Sequence, residues 1–307
     1  MKYEELDACK LCPRKCGVNR NIGKTGACGQ TNQIRAARAK LHFWEEPCIS
    51  GTQGSGAVFF TGCNLGCVYC QNRVISYDGY GEMISEEELA EIFLRLQSEG
   101  AANINLVTPT HFVKQIVTAL QWAKEKGLSI PIVYNSSGYE LVETLKLLDG
   151  LVDIYLPDCK YRSKELAKKY SMADDYFEYA SKAIEEMYRQ TGNVVFGEDG
   201  LMKKGVIVRH MLLPGHVKEA KAVVSYLQEQ YGDSIYISMM NQYTPFLYVK
   251  EHYPEIARKV TKREYDRWVD YALDIGVKNG FIQEGETAKE SFIPEFRGEG
   301  IKVNEIL

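Results

Sequence analysis

Three cysteines, Cys63, Cys67 and Cys70, lie within eight residues in the run T-G-C-N-L-G-C-V-Y-C-Q-N. The spacing C-x3-C-x2-C, on a loop with two glycines, lets three thiolates wrap one face of a cubane iron–sulfur cluster. A structural zinc site and an ordinary [4Fe–4S] cluster each take four protein ligands. Three ligands leave one iron open, and an open metal position is where a substrate or cosubstrate binds.

A second set, Cys9, Cys12, Cys16 and Cys28, supplies four thiols. Four ligands close a site, so this centre is expected to bind no substrate. Either tetrahedral zinc or a second [4Fe–4S] cluster satisfies the spacing. Either would staple a stretch too short to fold on its own core. Eight of the nine cysteines fall in the first 70 residues, a clustering that reads as metal or redox chemistry in a reducing compartment. Cys48 is an alternative ligand or a packed thiol, and Cys159 reads as a core thiol.

Other residues with chemical potential follow apolar runs. They are Thr108, Thr110 and His111; Asn135 and Ser137; Asp158 and Lys160; Arg209 and His210; His216; and Asn241, Gln242 and Tyr243. Asp158 and Lys160 at the mouth of a buried strand are costly unless paired with each other or with a ligand. Arg209, in an apolar run, needs a buried anion. Thr110 suits a helix N-cap. His111 reads as structural, His210 faces away from Arg209, and His216 reads as an exposed helix-entry residue.

The elements that must hold these residues alternate. Apolar runs at 56–62, 103–107, 131–135, 151–156, 205–213 and 234–240 are expected strands. Between them lie helical patterns, one opened by a Ser85/Glu88 capping box and another near the end by Thr261/Glu264. The helical stretch 163–189 breaks near Asp174, and 192–204 reads as a hairpin insertion. Continuous apolar strands argue for a parallel sheet covered by helices. The expected fold is α/β, a partial (β/α)6 TIM-type barrel over residues 51–307 with a C-terminal helical extension. A cysteine-rich extension over residues 1–50 precedes it. In such folds the working residues sit at the carboxyl edge of the sheet.

Composition excludes several classes. Hydrophobic content is 45% and charged content 25%, ordinary for a globular chain. No apolar run reaches the ~18 residues of a membrane span, and the acidic start does not suit a signal peptide, so a cytoplasmic location is expected. Residues 1–40 hold nine Lys/Arg against three Asp/Glu, although the whole chain is −4. These bases read either as an offset to thiolates or as a patch for an anionic partner. With no aromatic–basic surface motif, nucleic acid is not the expected partner.

With Tyr69 before the last cysteine, the motif resembles the signature of radical S-adenosylmethionine (SAM) enzymes. The run GSGAVFFTGCNLGCVYCQN is closer still to enzymes similar to pyruvate formate-lyase activating enzyme, in a branch with an added N-terminal cysteine cluster. Gly66 departs from relatives that carry a larger residue. The resemblance implies that the open iron chelates SAM. One electron from the reduced cluster then cleaves it to methionine and a 5′-deoxyadenosyl radical, which abstracts hydrogen. It also implies cosubstrate contacts from Tyr69, Thr108, Thr110, Asn135, Ser137, Asp158, Lys160, Arg209 and Asn241. The implied partners are a low-potential flavodoxin or ferredoxin and a glycyl-radical enzyme as protein substrate. A small metabolite, a peptide or RNA is the alternative substrate, and an iron–sulfur carrier is the non-enzymatic alternative.

Overall fold

The computed structural model describes residues 3–283, 294 and 296–302. Ten strands run in chain order: β1 (Ile34–His42), β2 (Ser55–Phe60), β3 (Glu82–Ile84), β4 (Ile104–Val107), β5 (Ile132–Ser136), β6 (Ile154–Pro157), β7 (Val195–Phe196), β8 (Met202–Met211), β9 (Tyr236–Met240) and β10 (Gly280–Ile282). The sheet order is β10-β9-β8-β6-β5-β4-β2-β1-β3, with β7 paired to β8 as a hairpin. From β2 through β10 the pairs on that path are parallel, whereas β1 joins β2 and β3 antiparallel. The two ends of the sheet do not meet, so this is a partial barrel as expected.

The central strands are apolar throughout because both faces are covered. All six residues of β2 and all four of β4 are buried. Helices on the outside pack Leu89, Ile92, Phe93 and Leu96 and then Ile116, Ala119 and Leu120 against one face in a single continuous core. The Ser85/Glu88 capping box forms in full at the helix Glu86–Ser98, and the Thr261/Glu264 box at Lys262–Asp274. The helical stretch after β6 breaks as expected, into Lys164–Ser171 and Tyr176–Thr191. Met172 ends the first piece in the left-handed region at φ 52°.

Three strands were not foreseen. β1 pairs with β2 from Ala36 opposite Phe60 to His42 opposite Ser55, with a bulge between Ala36 and Arg38. The boundary expected at residue 50 therefore falls beyond a strand that belongs to the main sheet. Its sequence, IRAARAKLH, carries four basic residues, so charge masked its strand character. β3 and β10 have three residues each, too few for a period to register. Among the described residues the C-terminal extension thus holds the helices Leu247–His252 and Lys262–Asp274 and a further parallel strand. Gly298 and Glu299 then hydrogen-bond to Ala37 and Ala39 of β1.

Residues before β1 form two short 3-10 turns, Glu4–Ala8 and Arg20–Ile22. They lie against the starts of the outer helices. The Tyr3 hydroxyl donates to Glu86, Lys114 pairs with Glu5 at 2.6 Å, and Thr144 donates to the Leu11 carbonyl at 2.8 Å. That places the N-terminal cysteines near the carboxyl edge of the sheet.

Candidate active site

A cavity of about 540 Å³ opens at that edge. Cys63, Cys67 and Cys70 line one wall. Residues from successive strand ends line the same cavity: Thr108 after β4, Asn135 and Ser137 at β5, Asp158 and Lys160 after β6, and Arg209 on β8. The topology requires this convergence, since parallel strands all deliver their carboxyl ends to one side.

The cysteine loop is built to place its sulfurs. Gly62 sits at φ +88°, where a β-carbon would stand 2.5 Å from the Cys28 carbonyl, so only glycine turns the chain off β2 here. Each sulfur accepts one hydrogen bond. Cys63 takes the Leu65 N–H at 3.4 Å, Cys67 the Ser171 hydroxyl at 3.0 Å, and Cys70 the Ser76 hydroxyl at 3.3 Å. Behind Ser171 the hydroxyls continue through Tyr161 (3.0 Å) to Tyr69 (2.5 Å). Tyr69 is therefore a wall of the cavity whose polar end points into protein. Gly66, the departure from related motifs, has its own reason. A β-carbon there would come 2.1 Å from the Met172 methyl, so Met172 takes the space a larger residue would fill. Burial raises the Cys63 thiol well above its usual range and the Cys67 thiol to about 11. Thiolates here therefore need a cationic ligand to form.

At the end of β5, the N-S-S-G turn presents two polar side chains to the cavity, Asn135 and Ser137. Gly138 closes it at φ +75°, where a β-carbon would lie 2.2 Å from the Asp158 carbonyl. The Tyr176 hydroxyl ties the ends of β5 and β6 together. It reaches the Ser137 and Asp158 carbonyls at 2.8 and 2.9 Å and accepts from the Lys160 N–H at 3.0 Å. The Ser137 hydroxyl is buried with no hydrogen-bond partner among the described residues, a costly arrangement that a bound polar ligand would relieve. Lys160 and Asp158 pair at 2.6 Å. Burial opposes the Lys160 charge, but Asp158 outweighs it and holds the ammonium well above its ordinary range.

Several expectations change. The anion that Arg209 needs belongs to the protein: its guanidinium bonds both Glu45 and Glu46, the latter through Nε at 2.8 Å. Burial alone would raise the Glu46 carboxyl, but Arg209 more than offsets this and holds it below the usual range. Asn105 donates to Glu45 at 2.9 Å, so a polar network of Arg209, Glu45, Glu46 and Asn105 lies along one side of the cavity. Thr110 is fully buried and donates to Glu140 at 2.6 Å. It neither caps a helix nor lines the cavity; Pro109 stands at the cap position. Gln242, not its neighbour Asn241, faces the cavity. Its carbonyl accepts from Gln71 at 3.0 Å, while the Asn241 N–H donates to Gln283. His216 is half-buried and meets the Tyr170 hydroxyl at 3.2 Å.

Other readings hold. Cys159 is a fully buried core residue. His210 is buried and bonds the Cys159 carbonyl at 2.7 Å. His111 is likewise buried, with Nε2 at 2.7 Å from the Thr61 carbonyl. Tyr243, by contrast, does not take its expected place at the open edge: it is buried against Tyr69, donates to the Ile256 carbonyl and does not line the cavity. Cys48 packs against Ile49 and Ile207. The cavity residues that sequence reasoning missed are Glu45 and Glu46, with Phe43 and Trp44 beside them. An acidic pair inside H-F-W-E-E-P-C was the available signal.

Among the described residues no three Cys, His, Asp or Glu side chains close into a site for a single metal ion. Three thiols on one cavity wall, each held by a hydrogen bond, instead suit a larger iron–sulfur core with a free position. The orphaned Ser137 hydroxyl and the Lys160–Asp158 pair suit a zwitterionic cosubstrate beside it.

Comparison with known proteins agrees. The chain is 29% identical over 273 residues to the uncharacterized protein MJ0674 of Methanocaldococcus jannaschii, covering 86% of this chain and 74% of that one. It is 27% identical over 146 residues to MJ1227 of the same organism, provisionally named a glycyl-radical enzyme activating enzyme; the match covers 48% of this chain and 60% of that one. Among solved structures, the FeFe-hydrogenase maturase HydG of Carboxydothermus hydrogenoformans aligns with a TM-score of 0.51 at 13% identity. That alignment covers 77% of this chain and 56% of the maturase. SuiB of Streptococcus suis, solved with S-adenosylmethionine bound, aligns with a TM-score of 0.50 at 14% identity, over 73% of this chain and 48% of SuiB. The chain thus spans about half the length of these solved proteins, and at such identities the likeness concerns the fold. The family model of the radical SAM superfamily matches residues 57–227, more than half of the chain and all three cysteines of the loop, so the chain belongs to the radical SAM superfamily.

Proposed function

We propose that this protein abstracts a hydrogen atom from a backbone glycine of a partner protein, in the manner of an enzyme that activates a glycyl-radical enzyme. Superfamily membership implies reductive cleavage of SAM at an iron–sulfur cluster, which supplies the 5′-deoxyadenosyl radical when both are bound. Cys63, Cys67 and Cys70 would hold the cluster. Asn135 and Ser137 would hydrogen-bond the cosubstrate, and Lys160 would face its carboxylate while Asp158 orients the ammonium. Thr108 offers a further hydroxyl. Arg209 acts indirectly, by keeping Glu46 ionised and by fixing both Glu45 and Glu46 along one side of the cavity.

The observation that carries this reading is that the three thiols share one cavity with the unpartnered Ser137 hydroxyl and the Lys160–Asp158 pair. The protein substrate is supported by the cavity's size and by its exposed apolar rim. Phe43, Trp44 and Ile282 all line the cavity and are 51%, 62% and 44% exposed. Such a rim suits an inserted polypeptide loop better than a small polar metabolite. The likeness to MJ1227 points the same way. No helix among the described residues is long and apolar enough to cross a membrane, and we expect a low-potential flavodoxin or ferredoxin as electron donor.

The test is anaerobic. Reconstituted protein, dithionite and SAM are incubated with a glycyl-radical enzyme whose radical-forming glycine carries deuterium. Deuterium in 5′-deoxyadenosine and a glycyl radical signal by electron paramagnetic resonance are the expected results. Turnover of SAM with no deuterium transfer from any such protein would shift the substrate to a metabolite or free peptide.

A further inference from the structure

The second cysteine set also converges. Cys9, Cys12, Cys16 and Cys28 all line one small cavity, with Arg20 and His111 in its wall. None of the four is in a disulfide. Zinc would sit ~2.3 Å from each sulfur and draw the four to within ~3.8 Å of one another, leaving no void. Here the four thiols line one pocket, yet among the described residues they do not close into a site for one ion. Thiols that share a pocket but stand too far apart to close on a single ion suit a broader core.

A second observation is independent of the spacing. Arg20 is 1% exposed, and its guanidinium meets no carboxylate among the described residues. Its partners are the Thr31 carbonyl, the His111 carbonyl at 2.7 Å and the Cys9 sulfur at 3.8 Å. A buried cation whose partners are carbonyls, a thiol and the Phe112 ring, 5.7 Å away, is costly without a counter-charge, and an anionic occupant beside Cys9 would compensate it. In the same wall, the buried His111 Nδ1 has no hydrogen-bond partner.

We propose that Cys9, Cys12, Cys16 and Cys28 ligate a second, fully coordinated [4Fe–4S] cluster, with Arg20 as its buried counter-charge, and not a single zinc ion. The core is taken up preformed by ligand exchange: four bonds from iron to the donor's terminal thiolates break, four Fe–S bonds to the cysteines form, the four thiol protons leave with the released thiolates, and no iron changes oxidation state. This cluster has no open iron and so does not bind SAM. It stands directly behind the first site. The Cys28 carbonyl packs on Gly62, next to Cys63. Arg14, between Cys12 and Cys16, donates to the Asn64 carbonyl at 2.9 Å and the Met172 carbonyl at 2.6 Å.

Iron, zinc and sulfide are measured in the full chain purified anaerobically and reconstituted with iron and sulfide. The same is done for the triple variant Cys63→Ala/Cys67→Ala/Cys70→Ala. The expected result is about eight irons per chain in the native protein and about four in the variant, with no stoichiometric zinc. The variant's reduced cluster should give a paramagnetic signal that SAM does not alter. One zinc with about four irons in the native protein overturns the proposal, as does an iron-free variant that retains its far-ultraviolet circular dichroism. Should the variant not fold, the native metal count still decides. Arg20→Met is expected to move the potential of this cluster to more negative values, with Arg20→Lys restoring it. A potential indifferent to both would refute the charge role. An iron-loaded variant alongside a native protein that leaves SAM intact would defeat the proposed function but not this inference. Four irons with SAM cleavage would do the reverse.

Discussion

The two cysteine sets lie back to back, yet their surroundings differ in kind. Cys63, Cys67 and Cys70 open onto about 540 Å³ lined by polar strand ends, whereas Cys9, Cys12, Cys16 and Cys28 line a pocket with only about 10 Å³ of room. At the open set the nearby charges are a paired Lys160 and Asp158. At the closed set a lone buried guanidinium stands against a thiol. The contrast separates a centre that must admit and orient a ligand from one that must only be held. Room and exchangeable polar partners mark the first; complete ligation and a fixed counter-charge mark the second.

The sharpest way to break this division is to remove one thiol from the open set. Cys67→Ala is expected to abolish 5′-deoxyadenosine formation and remove about four irons per chain, leaving the iron of the closed set in place. Retained SAM cleavage would mean that the wrong set had been called open.

Glu140 lies between the two sets, and its effect should be the next largest. Burial raises its carboxyl to about 7, against a hydrogen bond from Thr110 that lowers it. Its folded-state value exceeds its unfolded one, so the stability it contributes is fully present below about 4.5 and is lost as pH rises to about 7. The swing is on the order of 3 kcal/mol. Glu140→Gln should remove it, leaving urea midpoints that agree with native protein at low pH and exceed it above neutrality.

Breaking the open site's ion pair comes third. The Lys160 and Asp158 side chains are 18% and 26% exposed, so Lys160→Met should cost ~1–3 kcal/mol, less than the ~3–5 of a fully buried pair. Adding Asp158→Asn should recover part of that loss in the same unfolding measurement. The smallest effect is the most specific. Ser137→Ala should raise the KM for SAM by ~2–10-fold, the worth of one hydrogen bond. The unfolding midpoint should not change, because the hydroxyl has no internal partner to lose.

Much of this organisation was legible in the sequence. Six apolar runs of strand length, each followed by a helix start, specified the parallel frame. The C-x3-C-x2-C spacing specified the cysteine loop, because local spacing survives folding. What escaped were features that depend on distant partners. Arg209 announced its need for an anion, but nothing local showed that Glu45 and Glu46, more than 160 residues earlier, would supply it. Thr110 carries the same hydroxyl as Thr108, yet a half-turn sends it to Glu140 and away from the cavity. β1 hid behind its basic residues. Zinc and cluster were indistinguishable from spacing alone, because the difference lies in how far apart the sulfurs stand in space.

The most direct measurement is quantitation of 5′-deoxyadenosine and methionine after anaerobic reduction of the reconstituted protein with SAM. Equal amounts of both products, lost in Cys67→Ala, are the expected result. A fully iron-loaded protein that binds SAM but yields neither product under strong reductant would contradict the assignment of Cys63, Cys67 and Cys70 as the open, SAM-cleaving centre.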